Sequence, residues 1–225
     1  MRILIFGATG MVGQGVLREC LEADDVTRVA AIGRSSTDMT HERLTEIVTP
    51  DLANLEPIRD QLAPFDACFF CLGISSLGMK EPEYTRVTFD LTLNIARLLV
   101  RENPQMVFTY VSGAGTDSTG NGKLMWARVK GRTENALIAL GFKAAYMFRP
   151  GIIQPLHAVR SKTAAYRVTY DLARPLFALI RAIWPRAIVT SAEVGRGMLG
   201  VARRGFPRAI LEASDIQDAA RPDAS

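Results

Sequence analysis

Residues 3–17, ILIFGATGMVGQGVL, decide the fold of this chain. An apolar run typical of a buried strand is followed by three glycines and then by apolar residues at helical spacing. Glycines at this point let a tight turn bring backbone N–H groups and a helix N-terminus up to a pyrophosphate, which a side chain would block. The stretch therefore predicts a dinucleotide site formed by Gly7, Thr9, Gly10, Met11, Val12 and Gly13.

Short β-rich runs alternate with amphipathic segments along the rest of the chain. The predicted strands are residues 3–6, 28–32, 46–48, 67–72, 107–112, 144–149, 187–190 and 209–212, and the predicted helices are 12–22, 55–62, 83–102, 126–140, 164–184 and 192–203. This alternation predicts an α/β fold, a doubly wound parallel sheet in a single domain over residues 1–213. Residues 214–225 lack apolar periodicity, so we expect a flexible tail there.

The composition excludes several classes of protein. The chain has 225 residues, 48% hydrophobic and 22% charged, which is typical of a soluble globular protein. No apolar run reaches the roughly 18 residues of a transmembrane helix, and we expect a cytoplasmic location. Cys68 and Cys71 lie inside a strand pattern, which favours core packing over redox chemistry. His41 and His157 are isolated, so no metal site is predicted.

The second strand predicts which cofactor is preferred. The stretch VAAIGRSS places Arg34 about where an acidic residue would hold the adenosine ribose of NAD. A guanidinium there can pair with a 2′-phosphate or stack on adenine. We therefore expect NADP to be favoured, with NAD possible, and Ser35 and Ser36 as further hydroxyl donors or simple loop residues.

Together these residues resemble the short-chain dehydrogenase/reductase superfamily, in particular its atypical, epimerase-like NAD(P)-binding branch with a Rossmann-type fold. The resemblance covers most of the chain, from Met1 to about Glu212. Besides the glycine turn, four segments carry it: PDLANL, CLGIS, VKGRTENAL and FRPGII. The resemblance implies that Asp51 and Leu52 contact adenine and that Leu72 and Gly73 line the cofactor. It also implies that Pro150, Gly151 and Ile152 form the turn beside the nicotinamide.

The stretch NGKLMWARVKGRTENAL, residues 121–137, departs from the family pattern. The resemblance implies a catalytic tyrosine at position 126, with Lys130 one helical turn later lowering its pKa and holding the nicotinamide ribose. Trp126 stands there instead, and its indole N–H donates a hydrogen bond but does not titrate near neutral pH. The usual catalytic serine aligns with Gly113, which leaves Lys130 and Ser112 as candidate catalytic residues.

Three interpretations of this departure remain open. Another group, such as Tyr110, Ser112, Tyr84 or a tyrosine of region 166–170, supplies the acid, or the substrate needs no protein acid. Both describe an NAD(P)-dependent oxidoreductase or a protein like a nucleotide-sugar epimerase, with a degenerate active site. In the third, the chain is a non-catalytic NADP(H)-binding sensor or scaffold.

The last third of the chain is basic. Residues 158–208 carry ten basic and two acidic side chains, with Arg160, Arg167, Arg174 and Arg181 every seven residues. Such a region could lie on an anionic surface, meet a protein partner or close over an anionic substrate, and a solvated basic face is the simplest reading. No specific nucleic-acid motif accompanies it. The resemblance implies that the variable substrate region is about residues 152–186.

Overall fold

A seven-stranded parallel sheet forms the centre of the molecule. The computed structural model describes residues 1–154 and 188–222. The sheet order is β3-β2-β1-β4-β5-β6-β9, and β7 and β8 form a separate parallel pair. The strands are β1 Arg2–Phe6, β2 Arg28–Gly33, β3 Leu44–Val48, β4 Ala67–Phe70, β5 Val107–Val111, β6 Ala144–Arg149, β7 Ile152–Gln154, β8 Ile188–Thr190 and β9 Ile210–Glu212.

Helices connect these strands in the described part of the chain. They are α1 Met11–Glu22, a 3₁₀ helix Glu56–Gln61, α2 Glu81–Thr85, a π-helical turn Arg86–Asp90, α3 Leu91–Glu102, α4 Met125–Ile138, α5 Ser191–Arg204 and α6 Ala213–Ala219. Helix α3 shows why such segments are helical, because Thr92, Ile95, Ala96 and Leu99 are buried at positions i, i+3, i+4 and i+7. Helix α5 begins at a capping box in which Thr190 and Glu193 bond each other's backbone N–H.

Two hydrophobic clusters cover the two faces of the sheet. One joins Ile3 and Ile5 of β1 to Val16 of α1 and Met198 of α5. The other joins the opposite side chains of the strands to the 3₁₀ helix, α3 and α4. Since both faces are buried, the central strands are apolar along their whole length, and β1 is buried from Ile3 to Phe6. The predicted fold class is confirmed: an α/β, doubly wound parallel sheet of Rossmann type in a single domain.

This topology fixes where a ligand can bind. Strand β1 pairs with β2 on one side and with β4 on the other, so the strand order reverses at β1. In open parallel sheets a crevice forms at such a point, beyond the carboxyl ends of the strands. The glycine turn follows β1 at this edge, and the loops after β2, β4, β5 and β6 surround it.

The structure differs from several sequence expectations. The segment 55–62 forms a 3₁₀ rather than an α-helix, and the predicted helix 83–102 contains the π turn. The predicted strand 187–190 is present from residue 188, but it pairs with β7 outside the main sheet.

The flexible tail expected from residue 214 is wrong for residues 214–219. They belong to α6, in which Ile216 and Ala219 are buried against the first cluster. Two buried apolar side chains on this short helix are too few to give a helical periodicity in the sequence. Within the described ranges, no helix combines the length and apolar character needed to cross a bilayer.

Candidate functional site

The turn after β1 requires glycine for two different reasons. Gly7 has a φ of +81°, and a Cβ on it would lie 2.8 Å from the backbone of Cys71 and Leu72. A Cβ on Gly13 would lie 2.0 Å from the carbonyl oxygen of Gly7, so α1 could not pack so closely on the turn. Gly10 is the N-cap of α1 and donates its N–H to the Gly7 oxygen at 3.0 Å.

The first turn of α1 presents its backbone at the crevice. Thr9 and Gly10 are exposed, and Met11 and Val12 are half-buried behind them. The first N–H groups of a helix have no partner within it, and α1 has no acidic residue in its first turn that would repel an anion. The side chain of Gln14 donates to the Thr9 oxygen at 2.9 Å and holds the turn. This cradle, which a Cβ would fill, fits a pyrophosphate.

A shallow depression continues the site along β2. It is lined by Ala8, Thr9, the end of β2 from Ala31 to Gly33, Ser35 and Thr37. Arg34 is exposed beside it, and within residues 1–154 and 188–222 it makes no ion pair or side-chain hydrogen bond. The Arg34 guanidinium is thus available beside the depression.

The predicted adenine contacts lie after β3, and two further predicted cofactor contacts lie after β4. Asp51 is exposed, and its carboxylate accepts the N–H of Ala53 at 2.8 Å, which fixes the turn. Leu52 is buried in the second cluster. Leu72 is half-buried and Gly73 exposed, immediately after Cys71, whose N–H donates to the Phe6 oxygen at 2.9 Å. All four residues lie in the loops at the carboxyl edge of the sheet.

The thiols of the CxxC stretch are packing groups. Cys68 is fully buried on β4, and burial raises the pKa of its thiol well above the usual value. Burial raises the pKa of the Cys71 thiol to about 12. Within the described ranges no group of three metal-ligating side chains occurs.

Lys130 lies at the opposite end of the crevice, on α4. Its ammonium group donates to the backbone oxygen of Ser112, at the carboxyl end of β5. Burial lowers the pKa of Lys130 to about 8, although the carboxylate of Glu134, one turn later, acts to raise it. A lysine with this pKa changes charge close to neutral pH.

The side chain of Ser112, a candidate catalytic residue, is hydrogen-bonded within the protein. Its side chain is buried, and its hydroxyl lies 2.5 Å from Oε1 of Glu134 and 3.2 Å from the Phe148 oxygen. The hydroxyl hydrogen is therefore used within the protein, and Ser112 supports Lys130 through its carbonyl oxygen rather than by offering its hydroxyl to a substrate.

A buried ion pair lies beneath Lys130. Glu134 is 0% exposed, and Arg149 at the end of β6 is 9% exposed. Arg149 donates from Nε at 3.0 Å and from Nη2 at 2.5 Å to the two carboxylate oxygens. It also bonds Ser118 at 2.5 Å and reaches Glu212 of β9 at 3.4 Å. The pair ties α4, β6 and the loop after β5 into one unit.

Sequence reasoning missed the roles of Glu134 and Arg149, although both lie in the quoted segments VKGRTENAL and FRPGII. A charged residue in a helix or strand pattern gives no sign that it will be buried. One sign of close packing was present in the sequence, namely Gly131, three residues before Glu134. A Cβ on Gly131 would lie 1.8 Å from the Asp117 oxygen, so the loop after β5 packs directly on α4 there.

Trp126 stands at the mouth of the crevice. It is half-buried, and a Cβ on Gly115 would lie 3.6 Å from its ring, so the indole packs against the loop after β5. Gly115 has a φ of +82°, which lets that loop turn under the ring. The turn Pro150, Gly151 and Ile152 is adjacent, because the Ala114 N–H donates to the Pro150 oxygen at 2.9 Å.

Two of the tyrosines considered as replacement acids are buried. Tyr84 is 1% exposed and Tyr110 is 2% exposed. Burial raises the pKa of both phenols, and the neighbouring Tyr84 adds to the increase at Tyr110. Neither phenol is activated for proton transfer. The tyrosines at 166 and 170 lie outside the described residues.

Part of the basic region can be described. Arg196 pairs with Glu19 at 3.3 Å, Arg208 with Asp215 at 2.7 Å, and Arg203 with Asp25. These arginines fasten α5 and its following loop to the fold. Arg204, at the end of α5, donates to the Ala219 oxygen at 2.6 Å. The predicted helix 164–184, most of the substrate region 152–186 and the basic residues from Arg160 to Arg186 lie outside the described ranges.

Comparison with known proteins agrees with this geometry. The model of the NAD dependent epimerase/dehydratase family matches residues 3–121. Protein fmp52, mitochondrial, of Emericella nidulans is 30% identical over 158 residues, which are 67% of this chain and 66% of that protein. Protein HTATIP2 of Rattus norvegicus is 28% identical over 155 residues, 67% of this chain and 62% of that protein.

A solved structure shows the same fold. The UDP-glucuronic acid 4-epimerase from Bacillus cereus, in complex with NAD, has a TM-score of 0.68 over 95% of this chain and 76% of that one, at 13% identity. At this identity the likeness shows the fold alone.

Proposed function

The chain belongs to the NAD-dependent epimerase/dehydratase family, and on this premise we propose that it is an oxidoreductase that prefers NADP(H) and works without the usual tyrosine. When bound, NADP(H) supplies or accepts the hydride. The glycine turn and the first N–H groups of α1 hold the pyrophosphate, and Lys130 holds the nicotinamide ribose.

The observation that carries the proposal is the environment of Lys130. A general acid is most effective when its pKa is close to the working pH, and burial brings the pKa of Lys130 to about 8. Lys130 passes a proton to the substrate oxygen that gains negative charge, and water returns one to the lysine. Glu134 and the Ser112 carbonyl hold its side chain in place.

Trp126 has a positioning role in this proposal. Its indole N–H donates to a substrate oxygen, and its ring excludes water from the mouth of the crevice. Arg34, exposed and without an ion-pair partner in the described part of the chain, binds the 2′-phosphate. These assignments support NADP over NAD.

A second candidate function is a non-catalytic NADP(H)-binding sensor. The burial of Tyr84 and Tyr110, and the engagement of the Ser112 hydroxyl by Glu134, favour it. In this case Lys130 serves ribose binding alone.

The two candidates differ in turnover. Purified protein is titrated with NADPH and NADH by fluorescence, and the absorbance of NADPH is then followed with a mixed panel of carbonyls and quinones. Oxidation that is lost in Lys130→Met at NADPH concentrations that saturate the variant supports the enzyme. Binding without oxidation supports the sensor, and no binding of either dinucleotide overturns both.

Trp126→Tyr is a sharper test of the site. Restoring the family residue one turn before Lys130 should raise carbonyl reduction if only the phenol is missing, with Trp126→Phe as the matched control. No gain over Trp126→Phe would contradict an otherwise intact site. The cytoplasmic location stays a prediction, which cell fractionation would check.

A further inference from the structure

One carboxylate organises the loop that follows β2. Glu46 of β3 accepts the Ser36 hydroxyl at 2.7 Å, the Thr37 hydroxyl at 2.6 Å and the Thr37 N–H at 2.6 Å. Partial burial acts to raise the pKa of Glu46, but the hydrogen bonds from Thr37 and Ser36 outweigh it and lower the pKa. Glu46 is therefore ionised at neutral pH and satisfied by three donors.

The two hydroxyls that donate to Glu46 also accept bonds from the loop. The Asp38 N–H donates to Ser36 at 3.2 Å, and the Met39 N–H donates to Thr37 at 3.3 Å. Asp38 has a φ of +58°, which few residues other than glycine adopt. The loop is thus folded around Glu46, with Asp38 in the left-handed region at its turn.

Glu46 lies beside the depression that follows the glycine turn. In the sheet register Glu46 is opposite Ala31, so both side chains lie on the same face, and Ala31 and Thr37 line the depression. Because Ser36 and Thr37 give their hydroxyl hydrogens to Glu46, the Arg34 guanidinium and the Ser35 hydroxyl are the remaining side-chain donors of residues 34–37.

We propose that Glu46 is a specificity-determining residue that holds this loop so that Arg34 and Ser35 meet the 2′-phosphate of the dinucleotide. The inference rests on the proposed function. It assigns cofactor choice to a residue of β3 that does not itself touch the phosphate, a task usually given to the end of β2. Glu46 acts as a positioning residue, by ordering the loop before the ligand arrives.

The test uses two small ligands that differ by the 2′-phosphate alone, adenosine 2′,5′-bisphosphate and AMP. Their affinities are measured by calorimetry for the wild type, Glu46→Ala and Glu46→Gln. Glu42→Ala is the matched control, because Glu42 is an exposed carboxylate four residues earlier. Thermal melting is followed in parallel to show that each variant is folded.

Glu46→Ala should lower the preference for the bisphosphate by about tenfold, as expected from freeing one or two residues that binding must then order. AMP affinity should fall less than affinity for the bisphosphate, since AMP does not use the 2′-phosphate site and the turn after β1 is untouched. Glu46→Gln keeps one acceptor oxygen and should lose about threefold. Glu42→Ala should match the wild type.

Two results would overturn the proposal. An unchanged ratio in Glu46→Ala would mean that the loop needs no carboxylate. A ratio that rises in Glu46→Gln would mean that Glu46 repels the phosphate rather than ordering its site. If wild-type protein binds neither NADPH nor NADH, the proposed function itself fails, which the Glu46 variants alone would not show.

Discussion

Removing one partner of the buried ion pair between Glu134 and Arg149 should destabilise the protein strongly. Glu134→Ala leaves the guanidinium of Arg149, 9% exposed, without its main partner and leaves the Ser112 hydroxyl with only the Phe148 oxygen, at 3.2 Å. Breaking a buried pair in this way costs about 3–5 kcal/mol of unfolding free energy. Ser118 and Glu212 still bond Arg149, so we expect a loss of about 3 kcal/mol, at the lower end of that range.

Thermal unfolding measures this loss directly. For a domain of this size each kcal/mol shifts the Tm by about 2–4 °C, so Glu134→Ala should lower the Tm by about 6–12 °C. The matched control is Glu56→Ala. Glu56 pairs with Arg101 at 3.2 Å with both side chains more than half exposed, and such a pair contributes less than about 1 kcal/mol.

A double variant separates the cost of leaving one buried charge unpaired from the cost of losing side-chain volume. Glu134→Met with Arg149→Met removes both charges, and replacing a buried pair by apolar groups of similar size is often neutral. The double variant should therefore be more stable than Glu134→Ala. If Glu134→Ala lowers the Tm no more than Glu56→Ala does, the pair does not stabilise the fold as the structure suggests.

Three further predictions concern the cofactor site. Gly13→Ala would place a Cβ 2.0 Å from the Gly7 oxygen. NADH affinity should therefore fall at least about tenfold, and the free energy of unfolding should fall by about 1–3 kcal/mol. Wild-type values in an NADH titration and in thermal unfolding would contradict the role of the turn. Arg34→Asp should reverse the preference for NADPH over NADH in the same titration, and an unchanged ratio would exclude Arg34 from the 2′-phosphate site. Lys130 is charged below its pKa of about 8, so NADPH affinity should fall as the pH rises through 8, and the decline should be absent in Lys130→Met.

The fold could be predicted because its signals are local. Strand β1 is buried on both sides from Ile3 to Phe6 and is apolar over those residues, and the glycines after it are required by contacts with the adjacent backbone. The same reasoning failed where a neighbour elsewhere in the chain decides the outcome. Helix α6 is held by two side chains packed on the first cluster, and β8 pairs with β7 instead of the main sheet.

The candidate site was predictable to a smaller extent, for a physical reason. Gly7 and Gly13 were identified because a turn that holds a pyrophosphate requires glycine between a strand and a helix, and Lys130 because its segment resembles the family's. The carboxylates that organise the site, Glu46 and Glu134, have no such spacing, since each acts on residues brought close only by the sheet.

Glu46 is an example of a contact that the sequence alone does not reveal. A carboxylate at the end of β2 is the sequence sign of an NAD site, and Arg34 in its place predicts NADP. The sheet register brings Glu46 of β3 to the same loop, where the Ser36 and Thr37 hydroxyls satisfy its charge. Because three donors already occupy Glu46, its presence does not favour a ribose hydroxyl as a free carboxylate would. In the proposed assignment, cofactor preference depends on how the loop is held as well as on Arg34, and the paired ligands with the Glu46 variants test this.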